Sequence, residues 1–301
     1  MKIVIAGGTG FLGMALVRAL SPDHDIVILS RRPSAPGPPR VSVAPWTPDG
    51  TSGSWTAVLD GAGAVVNLAG ESIAGRRWTA AQKTRILDSR LLATRSLATA
   101  IASASRPPAV FVSGSAVGYY GPLGDEGATE DHAPGSDFLA SVCVKWEGQA
   151  LAASSARTRV VCARTGIVLD RREGALPKML PPFWLGAGGP VGSGRQYWPW
   201  IHLGDWVALV RYAIENQAVS GALNVTAPNP VQNRDFARAL GRVLHRPAVL
   251  PTPGFALKLL LGEMAEGLLL SGQRAIPAKA EQLGFRFSYR DLDPALRAIF
   301  G

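Results

Sequence analysis

The chain has 301 residues, 47% of them hydrophobic and 18% charged, enough for one large α/β domain or a main domain with a smaller lobe. Its formal net charge is +9, but no run of five basic residues and no nucleic-acid motif accompanies that charge, and no stretch approaches the roughly 18 apolar residues that span a bilayer. Two cysteines and four scattered histidines exclude a disulfide framework and a metal centre, and they suit a reducing, cytoplasmic setting with neither nucleic acid nor membrane as partner.

The first thirteen residues read MKIVIAGGTGFLG. The apolar run inside Lys2–Ala6 predicts a short buried parallel strand, and the pattern Phe11, Leu12, Ala15, Leu16, Ala19, Leu20 predicts a helix over Phe11–Leu20. Between them, Gly8-x-Gly10-x-x-Gly13 overlaps with Gly7-x-x-Gly10-x-x-Gly13. A strand, a glycine turn and a helix N-terminus are what a dinucleotide pyrophosphate requires: the glycines let the backbone come close, and the first helical turn supplies unpaired N–H groups. Gly7, Thr9, Gly10, Phe11, Leu12 and Gly13 are therefore the candidate phosphate turn. A secretory signal is rejected, because the glycines interrupt the apolar stretch and no cleavage site follows.

The second strand, Asp25–Ser30, ends at Ser30-Arg31-Arg32. Dinucleotide sites that take NAD place a carboxylate after this strand for the ribose 2′-hydroxyl, and none stands here. A hydroxyl and two guanidinium groups suit a 2′-phosphate instead, so the expected cofactor is NADP(H). Residues Ser34 to Ser54 are rich in Pro and Gly and read as an irregular excursion around one short strand, Val41–Ala44. Further strands are expected at Ala64–Leu68, Ala109–Ser113 and Arg159–Arg164, with helices at Ala80–Ser103 and Phe138–Ser154. This alternation predicts an α/β fold, a Rossmann-type doubly wound parallel sheet. Gly186 to Gly194 form a glycine-rich loop. After Leu250 the pattern is helical, over Phe255–Leu270, Pro277–Leu283 and Leu292–Phe300. The expected organisation is a nucleotide-binding domain over 1–250 and a small, mainly helical C-terminal lobe over 251–301, with Phe255–Leu270 as a packing or contact surface of a monomer or homodimer.

Several motifs in order carry a family resemblance: Asn67-Leu68-Ala69-Gly70-Glu71, Arg76-Arg77-Trp78, Ser89-Arg90, Arg164-Thr165-Gly166-Ile167-Val168-Leu169, Gly188 to Gly194, Trp200-Ile201-His202-Leu203-Gly204-Asp205, Ser271 to Pro277 and Gly284 to Phe287. Together they resemble the atypical extended short-chain dehydrogenases of the "epimerase family", which carry a C-terminal domain of unknown function. The resemblance spans nearly the whole chain. It implies an NADP-binding domain in which Leu68 and Ala69 line the adenine side, Gly70 of the same turn touches the cofactor, Arg90 helps hold the cofactor and Ile167 faces the nicotinamide half.

It also implies a catalytic Ser with a Tyr-x-x-x-Lys pair on a helix: the Ser polarises a carbonyl, the Tyr transfers the proton, and the Lys supports both Tyr and ribose. Ser115 and Lys145 match, but Ser141 stands where the tyrosine belongs. Tyr119 or Tyr120, beside Ser115, is the replacement phenol or only shapes the loop, and Lys145 either bonds the ribose or is a surface lysine of its helix. His202 is a pocket residue or a core histidine, and Asp205 borders the pocket or caps a helix. Two functions follow: an oxidoreductase or epimerase-like protein acting on a small polar molecule, or a non-catalytic NADP(H)-binding redox sensor.

Overall fold

The computed structural model describes residues 1–32 and 39–301, so part of the Pro/Gly-rich excursion lies outside the described residues. Numbering only the strands of the central sheet, these are β1 (Lys2–Ala6), β2 (Asp25–Ser30), β3 (Val41–Pro45), β4 (Ala64–Asn67), β5 (Val110–Ala116), β6 (Arg159–Thr165) and β7 (Gly221–Val225). They are parallel throughout and lie in the order β3-β2-β1-β4-β5-β6-β7. The strand order reverses direction between β1 and β4. In an open parallel sheet that reversal opens a crevice at the strands' C-terminal ends, where ligands bind.

The apolar runs of the strands are explained by burial on both faces. Ile3, Ile5, Val66 and Val112 pack on one face with Leu16 and Leu20 of α1 (Phe11–Leu20) and Trp206, Leu209 and Ala213 of α5 (Leu203–Glu215). Val4, Val65 and Phe111 pack on the other with Leu97 and Ile101 of α2 (Ala80–Ser103) and Ala150 of α3 (Phe138–Leu151). Each fully buried large apolar side chain is worth about 1.5–3 kcal/mol. Side chains mark the helix starts: Thr79 accepts the N–H of Gln82 before α2, and Asp137 that of Ala140 before α3.

β5 runs three residues past its expected end, through Gly114-Ser115-Ala116. Ser115 pairs with Arg164 and Ala116 with Thr165, so the ladder to β6 holds a polar segment that reads locally as loop. A second cluster joins α4 (Leu176–Trp184), α6 (Asn233–Leu244) and the terminal helix Leu292–Phe300 around Leu169, Trp198 and Trp200. The expected long helix over Phe255–Leu270 is broken at Gly262, whose φ of +64° closes α7 (Gly254–Leu261) before a short turn and one π-type turn over Glu266–Leu270. Among the described residues, no helix is long and apolar enough to cross a membrane.

The tail is tied to the sheet domain. Phe285 and Phe287 pack on the main core. The buried Asp205 carboxylate accepts the N–H groups of Ser288 and Tyr289, both at 2.9 Å. Asp205 therefore does not cap α5. That place belongs to His202, whose Nδ1 accepts the Gly204 N–H at 3.0 Å. Burial lowers the His202 pKa, with Asp205 and Asp170 acting against it.

Candidate functional site

The glycines of the β1–α1 turn have different jobs. Gly7 takes φ +78°, and a Cβ there would lie 2.7 Å from the Leu68 carbonyl carbon, so the turn stacks directly on the end of β4. At Gly13 a Cβ would fall 2.2 Å from the Gly7 oxygen, so glycine is required for α1 to start so close to the strand. Gly10 is unlike both: its φ is negative, and its Cβ would meet only the Gly7 oxygen, at an ordinary 3.5 Å. Space beside Gly10 is open, and Thr9 and Gly10 are exposed. The first α1 bond runs from the Met14 N–H to the Gly10 oxygen, so the amides of Phe11, Leu12 and Gly13 have no helical acceptor. With no acidic side chain in that turn, it is a cradle for an anion, and a pyrophosphate fits it.

At the end of β2, the Ser30 hydroxyl accepts the Arg32 N–H at 3.2 Å, folding the backbone back. Arg31 and Arg32 are exposed, and neither pairs with a carboxylate among the described residues. At the end of β4, the buried Asn67 fixes the next turn: its Oδ1 accepts the Ala69 N–H (3.1 Å) and its Nδ2 donates to Thr94 (2.9 Å). The indole N–H of Trp146 donates to the same Thr94 hydroxyl. A Cβ on Gly70 would press on Arg90 at 3.3 Å, so the turn and α2 are in contact. Arg90 Nη1 donates to the carbonyls of Glu71 and Ile86, each at 3.0 Å, and the guanidinium lies 5.1 Å from the Trp146 ring. Burial lowers the Arg90 pKa. The other guanidinium nitrogens bond no protein group among the described residues. The glycine turn, Ser30–Arg32, Leu68–Gly70 and Arg90 thus follow the C-terminal edge of β1, β2 and β4. Ile167 lies just past β6, with its N–H on the Pro199 carbonyl at 2.7 Å.

The register of α3 changes the catalytic picture. Ser141 and Lys145 are both exposed, so the four-residue pair counted from Lys145 lies on the outer face of the helix, away from Ser115. The inner face carries another four-residue pair, Cys143 and Glu147, both buried. Ser115 donates its hydroxyl to Glu147 Oε1 at 2.6 Å. Arg164 forks onto the same carboxylate, Nε to Oε1 at 2.8 Å and Nη2 to Oε2 at 2.9 Å. The Cys143 thiol points at the Ala116 carbonyl, 3.6 Å away, and burial followed by the Glu147 charge pushes its pKa up to about 12.

The two tyrosines are also told apart. Tyr120 donates to Asn224 Oδ1 at 2.6 Å and accepts from Arg164 at 3.0 Å; burial pushes its pKa up to about 12. It is a framework group. Tyr119 is half-buried, with the Arg164 guanidinium 3.4 Å from its ring centroid. Arg164 thereby links Ser115, through Glu147, to Tyr119. Glu130 extends the network, accepting the N–H groups of Asn224 and Lys279. Cys143, Glu147, Arg164 and Asn224 are the residues sequence reasoning missed. One signal was available: Glu147 interrupts the inward stripe Ala140, Cys143, Trp146, Ala150 at helical spacing. The glycine-rich loop is explained by packing, since a Cβ on Gly189 would strike the Leu250 oxygen at 2.1 Å.

Residues 3–226 match the family described as "NAD dependent epimerase/dehydratase family", and residues 252–299 match a "Domain of unknown function (DUF1731)". The chain is 42% identical over 295 residues to "Epimerase family protein ML0860" of Mycobacterium leprae, covering 98% of this chain and 94% of that one. It is 40% identical over 304 residues to "Epimerase family protein SDR39U1" of Bos taurus, covering 99% of each. Its fold superposes on the crystal structure of human epimerase family protein SDR39U1 (isoform 2) with NADPH, at a TM-score of 0.89 and 36% identity, covering 99% of each chain.

Proposed function

Because the chain belongs to the NAD dependent epimerase/dehydratase family, we propose that it binds NADP(H) and acts as an oxidoreductase or epimerase-like protein on a small polar molecule. The observation that carries this reading is the open, amide-lined turn at Gly10, followed after β2 by Ser30-Arg31-Arg32 with no carboxylate. Gly7, Thr9, Gly10, Phe11, Leu12 and Gly13 hold the pyrophosphate, and Ser30, Arg31 and Arg32 hold the 2′-phosphate. Leu68, Ala69 and Gly70 line the adenine side, Arg90 offers its remaining donors to the cofactor, and Ile167 borders the nicotinamide. The human relative solved with NADPH supports the choice of the phosphorylated cofactor.

When bound, NADP(H) supplies a hydride donor or acceptor at its nicotinamide. Of the two phenols, Tyr119 is the one available to carry a proton, since Tyr120 is held by Asn224 and Arg164. The exposed Lys145 does not adjoin this cluster, and Arg90 and Arg164 supply its cations. One observation favours the second reading, a protein that holds NADP(H) without turnover: the inner face of α3 presents a thiol and a paired carboxylate where a phenol and an ammonium are needed. A hydride-transfer screen over carbonyl compounds and sugar nucleotides separates the two. Turnover that Tyr119→Phe abolishes without loss of NADPH binding supports the enzyme. Tight NADPH binding with no turnover over the panel supports the sensor.

A further inference from the structure

We propose that Ser115, held by Glu147, makes the cleft at the end of β5 select an alcohol over the carbonyl compound of the same skeleton; this rests on the cofactor reading above. A serine hydroxyl has one proton and two lone pairs. That proton goes to Glu147 Oε1, at a separation typical of a charge-assisted bond (2.6 Å). The reverse assignment fails on geometry. Oε1 already receives the Arg164 Nε–H and Oε2 the Nη2–H, so the carboxylate is positioned as an acceptor on both oxygens. Glu147 in turn is fixed from behind, because Arg164 also donates to Tyr120 and to the Glu130 carbonyl.

Ser115 retains 5% of its surface; with its proton committed to Glu147, its hydroxyl has only lone pairs left to offer an incoming group. An alcohol arriving at this oxygen donates its hydroxyl proton and is satisfied. A ketone oxygen arriving there faces another acceptor, and both are left unpaired. The bond therefore runs opposite to that of a serine that polarises a carbonyl. Glu147 and Arg164 touch no ligand in this scheme. They act as positioning residues that set the direction of one hydrogen bond.

The test uses full-length protein loaded with a redox-inert tetrahydro-NADP, so that neither probe reacts. Cyclohexanol and cyclohexanone, then glycerol and dihydroxyacetone, are compared by saturation-transfer NMR. Wild type is expected to favour each alcohol about tenfold, a typical effect of one unpaired polar contact. Glu147→Gln is expected to lose most of the preference, because its amide N–H must replace one acceptor of the Arg164 fork and no carboxylate then fixes the direction of the Ser115 bond. Should that variant lose its fold, Ser115→Ala, which removes the hydroxyl's bond to Glu147 and its contact with the Cys143 thiol, is expected to bind both probes alike. A ketone preference in wild type, an unchanged preference in Ser115→Ala, or no binding of either probe overturns the proposal. Titration of the same sample with NADPH tests the cofactor reading separately.

Discussion

Gly10 and Gly13 lie three residues apart in one turn, and the structure gives their alanine variants opposite outcomes. At Gly13 a Cβ would lie 2.2 Å from the Gly7 oxygen and 2.7 Å from the Gly8 Cα. Both neighbours are backbone, so neither can rotate away, and overpacking of this kind costs about 3 kcal/mol or more. Alanine's better helix propensity returns about 1 kcal/mol. Gly13→Ala should therefore destabilise the protein by about 2 kcal/mol, seen as a lower urea midpoint at unchanged m-value. At Gly10 a Cβ meets only the Gly7 oxygen at 3.5 Å, and φ is −84°, so the fold accepts it. The cost there is the loss of a favourable N-cap, at most about 1 kcal/mol. That methyl enters the space above the unpaired α1 amides, where the pyrophosphate belongs. Gly10→Ala should thus keep nearly all its stability but bind NADPH at least tenfold more weakly in a fluorescence titration, a loss of about 1.4 kcal/mol. Wild-type NADPH affinity in Gly10→Ala, or a wild-type urea midpoint in Gly13→Ala, would refute the division of roles.

Replacing both Arg31 and Arg32 by Ala should weaken NADPH at least about a hundredfold, since each charge-assisted contact is worth about 1.5–3 kcal/mol, while leaving NADH nearly unchanged; equal losses in calorimetry would remove the 2′-phosphate assignment. The Cys143 and Cys162 thiols, pushed by burial to about 12, should resist Ellman's reagent in the native protein at pH 8, and rapid labelling would contradict their burial. The same shifts set the alkaline stability. The unfolded thiols ionise near 8.5 while the native ones stay protonated, so stability falls as pH rises between about 8.5 and 12. Cys143→Ala should make that slope shallower by about 1.4 kcal/mol per pH unit; an identical slope refutes it. Asp205→Asn removes an acceptor from one of two backbone N–H groups and should cost about 1–3 kcal/mol, with faster proteolysis near Ser288. Wild-type resistance there would show that the tail is held by its aromatic packing alone.

Much of the sheet was legible because local chemistry decides it. Lys2–Ala6, Phe11–Leu20, Asp25–Ser30, Ala80–Ser103 and Leu292–Phe300 fall where periodicity and turn residues place them. The parts that differ depend on groups distant in sequence. Gly114-Ser115-Ala116 is extended because β6 supplies its ladder. The stripe Ala140, Cys143, Trp146, Ala150 turns Glu147 inward, but its partner Arg164 stands seventeen residues further on, so a count from Lys145 picks out the exposed pair of the helix. Asp205 follows a histidine that caps the helix in its place, and its acceptors serve a tail more than eighty residues away. Gly262 reads as one more residue of an apolar helix, but its positive φ ends that helix.

The central claim is that this turn and this basic strand end bind a nicotinamide dinucleotide by its 2′-phosphate. Calorimetric titration of the cofactor-stripped protein with NADPH and then NADH tests it most directly. NADPH is expected to bind at least tenfold tighter, with a preference that fades as inorganic phosphate is added to compete at Arg31 and Arg32. Equal binding of the two would assign those arginines elsewhere, and binding of neither would contradict the account at its root.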